Sequence, residues 1–157
     1  MGSRDETRQK VYERKLKESY EKLKTMTEKA GFVYVIVHNS WPKYSKIGCT
    51  RDPIQRLNVY STYDPTGEYK MVGYRLVEDM YKEEKLMHSL LSEYRLNSEW
   101  FDVHWYAAVG FLKGVENRDY IMKKYKETRK RIYESGAVKA LPVSKIRILS
   151  KEIGKTL

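Results

Sequence analysis

The chain is poor in cysteine and has no long apolar run, and both absences narrow its class. Cys49 is the only cysteine in 157 residues. A lone cysteine excludes an intrachain disulfide and a cysteine-based zinc site, and it fits a reducing, intracellular setting. No run of about 18 apolar residues occurs, so no helix is expected to span a membrane. The N-terminus lacks the apolar core of a signal peptide. Glu6 stands where a myristoylation signal needs Ser or Thr. The expected location is cytoplasmic. There is no internal repeat and no low-complexity tract. The length suits one compact domain with appendages.

Positive charge is abundant and uneven. The formal net charge is +10. Residues 1–30 hold 9 Lys/Arg against 6 Asp/Glu, residues 31–112 hold 9 against 10, and residues 113–157 hold 13 against 5. The middle is near neutral, and the last third carries most of the excess. Such a basic third commonly tracks a polyanion, most often nucleic acid. A lysine-rich solvated helix is the plain alternative. The division expected from this pattern is a helical arm (1–30), a folded core (31–112) and a basic helical extension (113–157).

Residues 4–29 have good helix formers and no interior proline or glycine, so a helical arm ended by Gly31 is expected. Residues 32–37 read as a half-buried strand, His38 to Pro42 as a loop, and Tyr44 to Gly48 as a second strand. Strands joined so closely make an antiparallel hairpin. Asp52-Pro53 is a helix start, a carboxylate cap followed by proline at the first helical position, and that helix runs to about Ser61. A third strand follows from Tyr69 to Glu78, then a helix from Met80 to Tyr94 capped by Asp79. Further helices are expected at 105–112 and 116–134. Gly136 and Pro142 interrupt, and 143–153 reads as a last short helix.

Several residues could do chemistry. Tyr34 is a candidate general base, because nearby cations favour the phenolate; a strand tyrosine that only packs is the alternative. Lys46 would place a positive charge near it, and Gly48 would let a strand or a phosphate approach closely. Arg56 and Tyr60 lie four apart on the proline-started helix and share a face. Arg56 is always charged and planar, which suits a phosphate. Glu84 and His88 sit at the edge of an apolar arc of Leu86, Met87, Leu90, Leu91 and Tyr94. There a half-buried carboxylate can hold Mg²⁺ or Mn²⁺, with waters and substrate oxygens completing the shell. Glu83 is a rival ligand. Trp100 and Phe101 read as core plugs. In the basic extension, Lys123, Lys124, Lys126, Arg129, Lys130 and Arg131 are the candidate nucleic-acid contacts.

The set is more specific than its members. Tyr34, Lys46-Ile47-Gly48, Arg56 eight residues after that glycine, Tyr60, Glu84 with His88, Arg95 and Glu99-Trp100-Phe101 follow one another in a particular order and spacing. Together they resemble the GIY-YIG nuclease superfamily, in the phage-type subgroup whose second motif reads KIG, from about residue 31 to 103. The resemblance implies that Tyr34 is the general base and that Lys46 replaces the second motif's tyrosine. It implies that Arg56 contacts the scissile phosphate and that Glu84 binds the single metal ion, with His88 as the subgroup's histidine. The first motif here is Phe-Val-Tyr, and Asn97 is the candidate for the asparagine that many members carry.

The expected fold is α+β, a small, mainly antiparallel three-stranded sheet flanked by helices. The expected function is Mg²⁺-dependent endonuclease action on double-stranded DNA, serving homing, restriction or interference between mobile elements. Specificity would come from the arm or from a homodimer. A non-catalytic nucleic-acid-binding module with the same fold is the second reading. A basic adaptor for a protein partner is the third.

Overall fold

The computed structural model describes residues 2–135. Helix α1 (Gly2–Leu23) leads into strand β1 (Gly31–His38) and strand β2 (Ser45–Thr50). Helix α2 (Pro53–Tyr63), strand β3 (Tyr69–Val77) and helix α3 (Met80–Leu90) follow. Two short strands, β4 (Arg95–Asn97) and β5 (Trp100–Phe101), precede helices α4 (Trp105–Lys113) and α5 (Arg118–Glu134). The fold is α+β. Its sheet has five strands in the order β3-β1-β2-β5-β4, antiparallel at each pairing. The sequence leads one to expect three. Strands of two and three residues carry no readable alternation, and only the pairing of β5 with β2 and of β4 with β5 defines them. The expected break at Gly136 and Pro142 and the helix at 143–153 lie outside the described residues.

β1 is the centre of the sheet, and all eight of its residues are buried. It is therefore covered on both faces rather than half-buried. Alternation along the strand divides the work. Val33 and Val35 join Ile47, Met87, Phe101, Phe111 and Leu112 in the main core, beneath α3 and α4. Phe32 points the other way, into a second cluster with Leu23, Ala30, Tyr74 and Leu76 beneath α1.

The arm helix stops at Leu23, six residues earlier than expected. The Thr25 hydroxyl donates to the Lys22 carbonyl at 2.7 Å, and a turn follows. Gly31 does not end the helix. It is the first residue of β1, and a Cβ there would collide with Met80 Sδ. α1 docks on the sheet through Leu16 and Leu23, and the Tyr20 hydroxyl ties it to the start of α2. That hydroxyl donates to Asp52 Oδ1 at 2.6 Å and accepts the Ile54 N–H at 3.1 Å. Asp52 in turn caps α2 by accepting the Gln55 N–H at 3.1 Å. The arm thus sets the start of the helix that carries Arg56. Asp64 holds the other end by accepting from Thr66 Oγ1 at 2.6 Å and from the Glu68 N–H at 2.8 Å.

Candidate active site

Tyr34 lies on β1 directly opposite Gly48 of β2. A Cβ at position 48 would stand 2.5 Å from the Tyr34 hydroxyl oxygen and 3.0 Å from Glu99 Oε2. Glycine here is required by this close approach, so the Lys46-Ile47-Gly48 motif has a spatial reason. The Tyr34 hydroxyl hydrogen-bonds that of Tyr60, which α2 brings over this face of the sheet. Lys46 Nζ sits 4.3 Å from the centre of the Tyr60 ring and 3.7 Å from Glu99 Oε2. Arg56 is exposed on α2 and acts electrostatically on Tyr34, as does Glu99.

The expected lowering of the Tyr34 phenol by neighbouring cations does not occur. Tyr34 is 1% exposed. Burial raises its pKa above the ordinary tyrosine value, and the Tyr60 hydroxyl and the Glu99 charge push the same way, whereas Arg56 opposes them. Desolvation penalises the phenolate more than one cation compensates.

Beyond Lys46 the partner of β2 ends, because β5 pairs only with Ser45 and Lys46. The Ile47 N–H donates to the Glu99 carbonyl at 3.0 Å. The Ile47 carbonyl accepts from His88 Nε2 at 2.7 Å, which assigns the proton to Nε2. His88 thereby seals the edge of the sheet from α3, with its ring 5.1 Å from that of Phe101. Gly48 and Cys49 follow on the open edge. Glu84 reaches this edge from the opposite face to Tyr34, and its carboxylate hydrogen-bonds the Cys49 thiol. Burial and that carboxylate push the thiol up to about 12, so Cys49 is neither a thiolate nor a nucleophile at neutral pH. Glu99 and Arg56 act on Cys49 as well as on Tyr34. They therefore join the two faces around the edge of β2.

The adjacent glutamates have different surroundings. Glu83 Oε1 lies 2.5 Å from Arg75 and 2.7 Å from Arg118, and this bifurcated pair ties α3 to β3 and α5. Glu84 makes no salt bridge among the described residues. Its half-buried oxygens are hard donors of the kind Mg²⁺ or Mn²⁺ takes. Among the described residues no cluster of three or more His, Cys, Asp or Glu could hold a metal. An ion on Glu84 would complete its shell with water and phosphate oxygens, which fits Mg²⁺. The expected apolar arc of α3 is narrower than the sequence implied. Met87 and Leu91 are buried, whereas Leu86 is 48% exposed.

The basic helix divides by face. Ile121, Tyr125 and Thr128 are buried. Arg129 belongs to that inner side: it lies 2.7 Å from Asp102 Oδ2 and 4.9 Å from the centre of the Tyr94 ring. It therefore holds α5 to the domain. Lys123, Lys126, Lys130 and Arg131 are exposed, and Lys124 is partly so. Lys126 pairs with Glu93 at 3.0 Å, Lys124 with Glu127 and Lys130 with Glu134, both at 3.7 Å.

Two residues in this cluster carried no separate role in the sequence. Glu99 stood only as the first letter of Glu-Trp-Phe, and Cys49 only as a lone thiol. Glu99 is aimed by the tight turn from Asn97 to Trp100. In that turn Ser98 takes a left-handed φ of 48°, and its carbonyl accepts from Arg95 Nε at 2.7 Å. Serine at a left-handed position is uncommon, and this is the one local sign of a constrained residue beside Glu99. Trp100 is only partly buried, and Phe101 is fully buried.

Residues 31–117 match the family model of the T5orf172 domain, a domain found in phage and bacterial nuclease-like proteins. No curated protein and no solved structure matches the chain. The matched span holds Tyr34, Lys46, Arg56, Tyr60, Glu84, His88 and Glu99 and covers more than half of the sequence, so the chain belongs to the T5orf172 domain family.

Proposed function

We propose that this chain is a metal-dependent endonuclease of the GIY-YIG type acting on double-stranded DNA. The observation that carries the reading is the convergence of Tyr34, Tyr60, Lys46 and Glu99 around Gly48, with Arg56 and Glu84 at the same open edge of β2. Phosphoryl transfer asks for positioning and charge neutralisation more than for covalent chemistry, and this set offers both. Arg56, exposed and permanently charged, holds the phosphodiester. Glu84 holds Mg²⁺ or Mn²⁺, which supplies electrostatic stabilisation of the leaving oxygen when bound. The buried Tyr34 phenol stays protonated at neutral pH. It forms with Tyr60 a pair of hydroxyls that orient water and phosphate oxygens beside Lys46. His88 keeps the β2 edge in place by its bond to Ile47. The exposed lysines of α5 and Arg131 supply sequence-independent contacts to the backbone.

The test is incubation with supercoiled plasmid in Mg²⁺, in Mn²⁺ and in EDTA, with the ends of any product mapped. Cleavage in metal and none in EDTA is expected. DNA binding with no cleavage in either metal would favour the second reading, a binding module that keeps the fold. One observation favours that reading: a Tyr34 held protonated by burial would be a poor base if it acted alone.

A further inference from the structure

Burial leaves Tyr34 ill-suited to take a proton, yet hydrolysis needs an acceptor. The cluster contains a carboxylate in a better position. Glu99 Oε2 lies 3.0 Å from the point where a Cβ of Gly48 would stand, and the Tyr34 hydroxyl lies 2.5 Å from the same point. The space that glycine vacates is thus shared by a phenol and a carboxylate. Lys46 Nζ stands 3.7 Å from Glu99 Oε2, and the Glu99 side chain is 34% exposed, so water reaches it. Its backbone is fixed twice, by the Ile47 N–H on the Glu99 carbonyl at 3.0 Å and by the left-handed Ser98 before it.

We propose that the Glu99 carboxylate is the general base that accepts the proton of the attacking water, an inference that rests on the nuclease reading. A water O–H bond breaks, and its proton passes to a Glu99 oxygen. The water oxygen forms a bond to phosphorus, and the phosphorus bond to the leaving sugar oxygen breaks with its electron pair. The leaving oxygen takes a proton from solvent, and Glu99 returns its own to solvent. Tyr34 and Tyr60 donate hydrogen bonds in the same space, and Lys46, 3.7 Å from Oε2, aims the carboxylate. The charged and titratable groups packed about this cluster are Tyr34 from β1, Lys46 and Cys49 from β2, Arg56 and Tyr60 from α2, and Glu84 from α3. A carboxylate does this work at neutral pH without the cost of ionising a buried phenol.

The experiment is the pH dependence of single-turnover plasmid cleavage in Mg²⁺ by the full chain and by Glu99→Gln, Glu99→Asp and Tyr34→Phe, with DNA affinity measured alongside. For the wild type, a rate that falls along an acid limb and is level above it is expected. Glu99→Gln should cut roughly 10²–10⁴-fold more slowly, lose that limb and bind DNA at least as tightly, because a negative charge has been removed. Glu99→Asp should keep the limb and recover part of the rate, which a merely structural carboxylate would not require. Tyr34→Phe should keep the limb. A wild-type rate that climbs steadily to pH 10, or a Glu99→Gln enzyme within a few-fold of wild type, overturns the role of Glu99 and leaves the nuclease reading intact. A wild type that cuts no DNA in either metal overturns both.

Discussion

The two faces of the sheet share one central strand and differ in what they are built from. Beneath α3 and α4, β1 contributes Val33 and Val35 to a closed apolar core with Ile47, Met87 and Phe111. Beneath α1 and α2, the same strand contributes Phe32, Tyr34, Ile36 and His38, and the helices answer with Tyr12, Tyr20 and Tyr60. The first face is mainly apolar packing, tied at its margins by Glu83 to Arg75 and Arg118 and by His88 to the Ile47 carbonyl. The second combines ring packing with hydroxyls that need partners, and those partners are Asp52 at one end and Tyr60 and Glu99 at the other. Stability and chemistry are thus separated across a single strand. They meet only at the edge of β2, where Glu84 comes round from the apolar side.

That separation can be broken experimentally. The largest effect is expected at the two glutamates of α3. Glu84→Gln should abolish Mg²⁺-dependent cleavage with little change in melting temperature. Glu83→Gln should leave Arg75 and Arg118 without their shared partner, lower the melting temperature and spare the chemistry of whatever folds. Cleavage assays with thermal melts on both variants decide it, and the reverse pattern would move the metal to Glu83. Next is Tyr34→Phe. It should retain the fold and DNA binding and cut more slowly, by less than Glu99→Gln does, since a hydroxyl that orients water and phosphate oxygens is removed. Equal rates would remove Tyr34 from the site.

On the apolar face, Phe111→Ala should cost about 3–5 kcal/mol in chemical denaturation, as a fully buried aromatic leaves a cavity. It should not alter the pH profile of cleavage. Acid should also act on this face through His104. Its ring nitrogen caps α4 by accepting the Tyr106 N–H at 3.2 Å, and burial lowers its pKa from 6.5 to about 4. The unfolded chain therefore binds the proton first. Stability is fully present above pH 6.5 and is lost as pH falls through that window towards 4. Denaturation midpoints at pH 7 and pH 4.5 should differ, and His104→Asn, which keeps a capping acceptor, should flatten the difference.

The smallest effect is expected on α5. Changing Lys123, Lys124, Lys130 and Arg131 to Glu should weaken binding to any DNA. The slope of log affinity against log salt should become shallower by about 0.9 for each phosphate that is no longer neutralised, with the cut position unchanged. Arg129 is left in place because its pairing with Asp102 holds the helix. An unaltered slope would show that α5 is only a solvated surface.

The sequence by itself determined the hairpin of β1 and β2, the Asp52-Pro53 helix start, the Asp79 cap and the order Tyr34, Lys46, Gly48, Arg56, Glu84. Each is local: a β-branched run, a cap-and-proline pair, or a spacing along one element. Charge distribution likewise marked the basic extension, although it could not tell Arg129 from its neighbours. Helix period alone does not say which side meets Asp102, and the same limit misplaced Leu86. Only the tertiary structure decided what depends on strands far apart in sequence. β5 is two residues long and exists through its pairing with β2, and that pairing carries Glu99 to Gly48. The protonation of Tyr34 was beyond the sequence for the same reason. Charge neighbours can be counted from motifs, but desolvation is set by the helices that close over β1, and here burial outweighs the one cation.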